Sequence, residues 1–286
     1  MYTRKNQRDL TRSERRRFVD AVLELKSSGR YDEFVQLHRE FYVTDGEDRP
    51  RAAHMTPSFF PWHRRYLLEF EKALREVDGS VTVPYWDWTR DRAPDGPLWA
   101  DDFMGGNGRS GDRQVTSGPF AHESGRWTLG STSGVPFLTR NLGRPADPVG
   151  LPTQKELDGA LKDGVYDADP WNSLATKGFR NRIEGWGIRS AGRPVALHNQ
   201  VHRWVGGAMA GAASPDDPVF WLHHAFLDLV WGRWQKAHPR SGYQPAAALP
   251  RDHPEAGRVF ALRERMPPWD VAPSALLAHD GVYRYA

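Results

Sequence analysis

Two pairs of amphipathic helices in this chain carry histidines on their apolar faces, one pair in each half of the sequence. In the second half, His198 and His202 are four residues apart on a helix predicted over 195–208. Side chains at positions i and i+4 of a helix point the same way, about one turn apart. The pattern therefore predicts helices that face one another around a polar centre, as in a four-helix bundle that holds a metal site.

The next predicted helix, over 217–237, carries the adjacent histidines His223 and His224. These are about 100° apart around the helix, so periodicity alone allows either to complete a three-histidine set. We favour His224, because it shares its face with large apolar side chains. These are Phe220, Leu227 and Trp231. Three neutral imidazoles suit copper, zinc, iron or nickel.

The first half of the chain repeats this arrangement. His38 lies on a helix predicted over 31–42, and His63 on a helix predicted to follow Pro61 and to run to about residue 76. His54 lies in the loop between them. A single histidine on an apolar face is more often a satisfied core residue than a ligand, but the three together favour a second metal site. Four other histidines are predicted to lie at the surface: His122, His238, His253 and His279.

The sequence as a whole predicts a mainly α protein with long ordered loops and a few short strands. It is expected to form a single domain over residues 1–286. A first helix is predicted over 11–28, because Thr11 and Glu14 have capping-box spacing. Residues 81–83 predict a short strand. Residues 90–155 are rich in glycine, proline and serine, and they predict loops anchored by aromatic side chains. The proline-rich tail after residue 240 is predicted to wrap the surface.

Composition excludes several classes of function. The 39 basic and 36 acidic residues are interspersed, so nucleic-acid binding is not expected. The absence of cysteine excludes disulfides, thiolate metal sites and a cysteine nucleophile. No apolar run reaches the length of about 18 residues that a membrane span needs. The polar start of the sequence predicts no signal peptide.

Several stretches of the sequence resemble the copper-binding regions of tyrosinases. Residues 31–65, which include the run PSFFPWHRR, resemble the first region, and residues 83–88, VPYWDW, resemble the stretch that follows it. Residues 197–204, LHNQVHRW, and 217–228, DPVFWLHHAFLD, resemble the second region. The resemblance runs in order along almost the whole chain, and it is greatest to the short bacterial tyrosinases of the actinomycete type.

The resemblance implies a type 3 copper site, in which two copper ions are each held by three histidines and O2 is the co-substrate. The implied ligands are His38, His54 and His63 for one copper, and His198, His202 and His224 for the other. Glu184 and Asn199 match a family pair that holds a water molecule. They are therefore candidates for taking the proton of a phenol.

Two further sets of residues are assigned around this site. Arg203 either lies at the surface or stands at the pocket mouth, where it would attract an acidic ring. Ala212 and Ala213 are predicted in the loop over the second copper, where small side chains would leave the entrance open.

Two residues of the last ligand helix are predicted to support the metal ligands without binding metal themselves. Asp228, one turn after His224, is expected to orient ligands or an arginine such as Arg64. His223 is assigned to the same supporting role.

Three functions are open at this point. The first is tyrosinase activity, which is ortho-hydroxylation of monophenols and oxidation of o-diphenols to o-quinones, as in melanin formation. The second is o-aminophenol oxidation in secondary metabolism, with weak or no hydroxylation, which Arg203 mildly favours. The third, more remote, is O2 transport of the haemocyanin type, whose carriers shield the metal pair with a bulky plug.

The resemblance also implies a partner. Actinomycete relatives receive copper from a small caddie protein that carries the export signal, and a chain without its own signal peptide fits that arrangement. It fits a cytoplasmic enzyme equally well, so the expected location is either the cytoplasm or outside the cell with a caddie.

Overall fold

The computed structural model describes residues 1–130, 133–144, 149–186 and 195–286, and it is mainly helical. Its α-helices are α1 (Arg12–Ser27), α2 (Arg30–Phe41), α3 (Phe59–Val77), α4 (Gln154–Leu161), α5 (Phe179–Glu184), α6 (Leu197–Val205) and α7 (Val219–Ala237). Two strands, β1 (Tyr2–Arg4) and β2 (Tyr283–Tyr285), pair in parallel, with Tyr2 opposite Tyr283 and Arg4 opposite Tyr285. The two ends of the chain are thus joined.

The first helix begins where the capping-box spacing predicts. The Thr11 side chain accepts a hydrogen bond from the Glu14 backbone N–H, and the Glu14 carboxylate accepts one from the Thr11 backbone N–H. Gly29, between α1 and α2, has a φ of +79°. Glycine adopts this left-handed conformation without steric cost, which allows α2 to begin directly after α1 ends.

Helices α2, α3, α6 and α7 form the predicted four-helix bundle around the histidines. The inner face of α3 is buried as a whole: His63, Tyr66, Leu67, Phe70 and Leu74. Phe70 stacks on Trp221 of α7 with ring centroids 3.6 Å apart. The Tyr66 hydroxyl donates to the Phe34 carbonyl of α2 at 2.6 Å. A large part of the core therefore lies between the helices that carry the histidines.

Two predictions about secondary structure are wrong. Helix α3 begins at Phe59, two residues before Pro61, because a proline in the first turn lacks only an N–H that has no partner inside the helix. Residues 81–83 do not form a strand. The Val83 N–H donates to the Glu71 carboxylate at 2.9 Å, so a side chain takes the place of a strand partner.

The predicted long loops over 90–155 are held by buried aromatic side chains, as expected. Trp99, Phe103, Phe120 and Trp127 are all buried, whereas Phe137 is partly exposed. Arg140 fixes the later loop to the start of α7 through two hydrogen bonds to the Asp217 carboxylate, each 2.7 Å long.

Two short helices, α4 and α5, lie in regions where the sequence predicted none. For α4 a signal exists, since Thr153 and Glu156 form a capping box. Among the described residues, none of the helices combines the length and apolarity that a membrane crossing requires.

Candidate metal centre

The six predicted ligands come together in the middle of the bundle. His38 lies on α2, His63 on α3, His54 in the loop between them, and the others on α6 and α7. The structure forms two groups in which the ring nitrogens lie within 4.8 Å of one another: His38, His54 and His63, and His198, His202, His223 and His224. The groups adjoin, because the rings of His63 and His224 stack at 4.4 Å.

Backbone carbonyls orient three of these rings. Nδ1 of His38 lies 2.7 Å from the Ala212 carbonyl, that of His63 2.9 Å from the Phe59 carbonyl, and that of His202 2.7 Å from the Met209 carbonyl. A carbonyl only accepts, so each Nδ1 carries the proton and each Nε2 keeps its lone pair. These Nε2 atoms are buried and have no hydrogen-bond partner in the described part of the chain. They are therefore oriented as metal ligands.

His198 and His54 differ from these three rings. Nδ1 of His198 lies 2.9 Å from the Asn199 side-chain oxygen and 3.3 Å from the Glu184 carbonyl, and its Nε2 has no partner among the described residues. For His54 the partnerless nitrogen is Nδ1. Each predicted ligand other than His54 thus has a buried Nε2 without a partner in the described residues, and His54 contributes one ring nitrogen to the same group.

Hydrogen bonding also shows which of the two adjacent histidines of α7 can bind a metal. The Trp88 indole N–H donates to Nδ1 of His223 at 3.2 Å. An indole N–H cannot accept, so a neutral His223 carries its proton on Nε2 and has no lone pair there for a metal. Both ring nitrogens of His224 are buried without a partner in the described residues. His224 therefore suits a metal better than His223 does.

Burial keeps these imidazoles neutral. It lowers the pKa of His38 to about 3 and that of His202 to about 4, with the carbonyls of Ala212 and Met209 partly opposing the shift. The pKa values of the remaining ligands are also lowered well below the usual range, first by burial and then by neighbouring histidines: His54, His63, His198 and His224. Neutral imidazole is the form that binds metals, so the centre is ready for metal at neutral pH. Two adjoining all-imidazole sets fit a pair of copper ions.

Glu184 ends α5 and is fully buried beside this centre. Its Oε1 accepts from the Met55 N–H at 2.6 Å, and its Oε2 pairs with Arg180 at 2.9 Å. Burial raises the pKa of the Glu184 carboxyl, although the charge of Arg180 opposes this. On the same side, Nδ2 of Asn199 is buried and has no partner in the described part of the chain.

A glycine allows Glu184 to lie this close to α6. Gly185 has a φ of +102°, and a Cβ there would lie 2.0 Å from the Ala196 carbonyl oxygen. Any other residue would separate the end of α5 from the start of α6. The close approach sets the Glu184 carbonyl against the ring of His198.

Behind the histidines, Asp228 links the two helices that carry His63 and His224. Its Oδ1 accepts from Nε of Arg64 at 2.6 Å, and its Oδ2 accepts from Arg4 at 3.2 Å and from the hydroxyls of Tyr283 and Tyr285 at 2.6 Å each. The contact with Arg64 is the one that the sequence predicted. Strands β1 and β2 therefore contact Asp228, which lies one helical turn after His224.

A cavity of about 230 Å³ opens onto the histidines from one side. Its lining is Tyr42, His54, Trp186, Val195, His198, Asn199, His202, Arg203, Met209, Ala210, Gly211 and Ser214. Arg203 thus lies at the pocket, as one of its two predicted positions requires. Ala212 and Ala213, which were predicted to lie at the entrance, are not part of this lining, although their neighbours Gly211 and Ser214 are. The Ala212 carbonyl instead orients His38.

Comparison with known proteins agrees with this geometry. Residues 28–237 match the model of the common central domain of tyrosinase. The chain belongs to the tyrosinase family. It is 52% identical to a tyrosinase from Streptomyces glaucescens over 287 aligned positions, which cover 100% of this chain and 99% of the relative. It is 41% identical to grixazone synthase from Streptomyces griseus, again with 100% and 99% covered.

A solved structure shows the same fold. A polyphenol oxidase from Thermothelomyces thermophila superposes with a TM-score of 0.69 at 22% identity, covering 100% of this chain and 89% of that chain. The mainly helical tyrosinase-family fold expected from the sequence is confirmed.

Several contacts of this tyrosinase-family centre were not predicted from the sequence. Met209 and Ala212 act through their carbonyls, which any residue offers, and their positions depend on how the loop after α6 folds. Trp88 approaches the histidines from outside the predicted ligand helices. Tyr42, the last residue of the helix predicted over 31–42, follows the end of α2 and contacts His54. The four histidines predicted at the surface are partly exposed and stand apart from both groups.

Proposed function

We propose that the chain is a type 3 copper oxidase that hydroxylates monophenols at the ortho position and oxidises o-diphenols to o-quinones. The observation that carries the proposal is the pair of adjoining histidine sets, whose neutral rings present unused nitrogens to one buried centre. Relatives named tyrosinase, at about half identity over the full chain, support the same activity.

In this proposal, His38, His54 and His63 hold one copper ion and His198, His202 and His224 hold the other. When bound, a copper pair supplies O2 binding and the paired electron transfer that ring oxidation needs. The protein contributes fixed ligand orientation, a buried centre and a pocket wide enough for one aromatic ring. The stacked rings of His63 and His224 keep the two sets adjacent.

Hydroxylation of a monophenol also needs a proton acceptor, because the pKa of a free phenol is about 10. We assign this role to a water molecule held between the Glu184 carboxylate and the Asn199 side chain. The Glu184 carboxylate accepts hydrogen bonds from the Met55 N–H, Arg180 and the Trp186 side chain, and its two oxygens retain capacity for another. The buried, partnerless Nδ2 of Asn199 would orient that water. A carboxyl whose pKa is raised by burial is a stronger base than an exposed one.

The second candidate function is oxidation of an o-aminophenol. The position of Arg203 favours it. Arg203 lines the pocket beside His202 and Asn199. A guanidinium there suits a ring that carries a carboxylate. The similarity to grixazone synthase is consistent with such a substrate.

A copper-delivering caddie protein is part of the proposal. The proposed ligands are almost fully buried, so copper has to reach them through the pocket. A delivery partner would therefore dock at the pocket mouth. If the metal-free chain takes up two copper ions from free Cu(II) as fast as it does with a co-expressed partner, delivery is not required.

Oxygen uptake by the copper-loaded chain tests the function. L-tyrosine, L-DOPA and 3-amino-4-hydroxybenzoate are compared side by side, with His224→Ala as the matched control. Rapid uptake with L-tyrosine and formation of a quinone support the tyrosinase assignment. Uptake with the aminophenol alone supports the second candidate. Reversible O2 binding without oxidation of any of the three would contradict both and indicate an O2 carrier.

A further inference from the structure

Among the proposed ligands, His54 differs in the element that carries it. It lies in the loop before α3, whereas the other proposed ligands lie on helices. Its Nδ1 has no hydrogen-bond partner in the described residues. The rings of His38, His63 and His202 are each fixed by a carbonyl at Nδ1. The Phe41 carbonyl, one residue before Tyr42, also acts on the His54 ring as a hydrogen-bond acceptor. The end of α2 and the rings packed around His54 therefore set its orientation together.

The ring closest to His54 among the described residues belongs to Tyr42. The two ring centroids are 4.6 Å apart, with the planes inclined by 48°. The nearest rings after it are those of His38 and His63, at 4.9 Å and 5.1 Å, which are themselves proposed ligands. Tyr42 is thus the non-ligand ring that contacts His54 most closely.

Tyr42 is in a fixed position itself. It follows directly after α2, and its backbone N–H donates to the Arg39 carbonyl at 3.4 Å. It lies four residues after His38, so its backbone is set by the same helix that carries another proposed ligand. The side chain also lines the pocket. One ring therefore touches both the first histidine set and the space for substrate.

We infer that Tyr42 is a positioning residue for His54: its ring holds the imidazole toward the metal centre and forms the pocket wall at the first site. The inference rests on the proposed ligand set. The ring is required, and the hydroxyl is not, because packing against His54 uses the aromatic face and edge. If Tyr42 positions His54, copper binding by His38, His54 and His63 depends on a residue that also lines the substrate pocket.

Two substitutions separate the ring from the hydroxyl. Tyr42→Phe keeps the ring, and Tyr42→Leu keeps an apolar side chain without it. Loss of a residue that orients a metal ligand weakens metal binding by about 10- to 100-fold. Copper release into a mild chelator is therefore expected to be about 10- to 100-fold faster in Tyr42→Leu and unchanged in Tyr42→Phe.

The copper that remains identifies the site. Tyr42→Leu is expected to retain one Cu(II) per chain with the EPR signal of a single ion, like His54→Ala, whereas Tyr42→Phe keeps the coupled pair. Equal copper retention in Tyr42→Leu and the unsubstituted chain would overturn the inference. Equally fast release from Tyr42→Phe and Tyr42→Leu would also overturn it, because the hydroxyl would then be the essential group.

A measurement on the metal-free protein keeps this test separate from the proposed function. The imidazole nitrogens of His54 are followed by NMR with labelled histidine, and thermal unfolding confirms that each variant is folded. Tyr42→Leu is expected to shift and broaden the His54 signals, and Tyr42→Phe to leave them in place. Unchanged His54 signals in Tyr42→Leu would overturn the inference. Failure of the unsubstituted chain to bind two copper ions would count against the proposed function instead.

Discussion

The Trp88 indole N–H donates to Nδ1 of His223 at 3.2 Å, and this one hydrogen bond decides between two adjacent histidines. It requires the His223 proton on Nε2, whereas both nitrogens of His224 stay unused within the described residues. We therefore expect His224→Ala to bind one copper ion per chain and His223→Asn to bind two. Copper analysis after dialysis measures the difference.

Trp88→Phe serves as the control for this assignment. It removes the indole donor and keeps a large ring in place, so the proton of His223 becomes free to move between the two nitrogens. Copper content is expected to remain at two ions per chain, because His224 still binds. If His223→Asn loses a copper ion and His224→Ala keeps both, the assignment of the ligand is wrong.

Sequence patterns predicted the helices and the histidines well because both depend on local periodicity. The apolar stripe of α3 and the spacing of His198 and His202 place side chains on one face whatever the rest of the fold does. For His38 and His223, the ring nitrogen that is used depends on partners from other segments. The Ala212 carbonyl lies 174 positions from His38, and Trp88 lies 135 positions from His223. No local pattern encodes these contacts.

The proton acceptor is tested by Glu184→Gln. The substitution keeps the shape and the contact with the Met55 N–H, but it removes the carboxylate charge. Loss of a general base lowers a rate by about 10²- to 10⁴-fold. The initial rate with L-tyrosine is expected to fall by that range, and the rate with L-DOPA to fall much less. Equal losses on both substrates would show that Glu184 acts on something other than phenol deprotonation.

The role of Asp228 is tested by Asp228→Asn. The carboxylate is buried among Arg64, Arg4 and two tyrosine hydroxyls. Removing one member of a buried charge pair leaves its partner uncompensated, at a cost of about 3–5 kcal/mol in the free energy of unfolding. Urea unfolding of the metal-free protein measures this cost, and copper analysis shows whether the ligands on α3 and α7 lose their alignment.

Glu76→Gln is the matched control for Asp228→Asn. Glu76 pairs with Arg30 at 2.8 Å on the surface, where the side chains are 48% and 42% exposed. Exposed pairs contribute about 0–1 kcal/mol, so this variant is expected to keep its stability and both copper ions. Unchanged copper content in Asp228→Asn would limit Asp228 to a structural role.

Acid should weaken the fold through the same carboxylate. Burial by itself would raise the pKa of Asp228, but the charges of Arg64 and Arg4 and the tyrosine hydroxyls lower it to about 2. A carboxyl with a depressed folded-state pKa stabilises the fold above its unfolded pKa of about 3.9, and that stability is lost as pH falls toward about 2. The contribution is on the order of 2 kcal/mol.

The difference in unfolding free energy between the unsubstituted chain and Asp228→Asn isolates this effect. The buried histidines, whose pKa values are also lowered, destabilise both proteins as pH falls and cancel in the difference. The difference is expected to be constant from neutral pH to about pH 5 and to shrink below it. A difference that does not depend on pH would show that the Asp228 pKa is not depressed in the folded state.

Substrate charge is tested at Arg203, which lines the pocket between the second histidine set and solvent. A hydrogen bond to a charged partner contributes about 1.5–3 kcal/mol. We therefore expect Arg203→Gln to raise KM for 3-amino-4-hydroxybenzoate by about tenfold or more. The KM for 2-aminophenol, which has no carboxylate, should change little, and so should kcat for both. Equal KM changes for the two compounds would show that Arg203 shapes the pocket without binding the carboxylate.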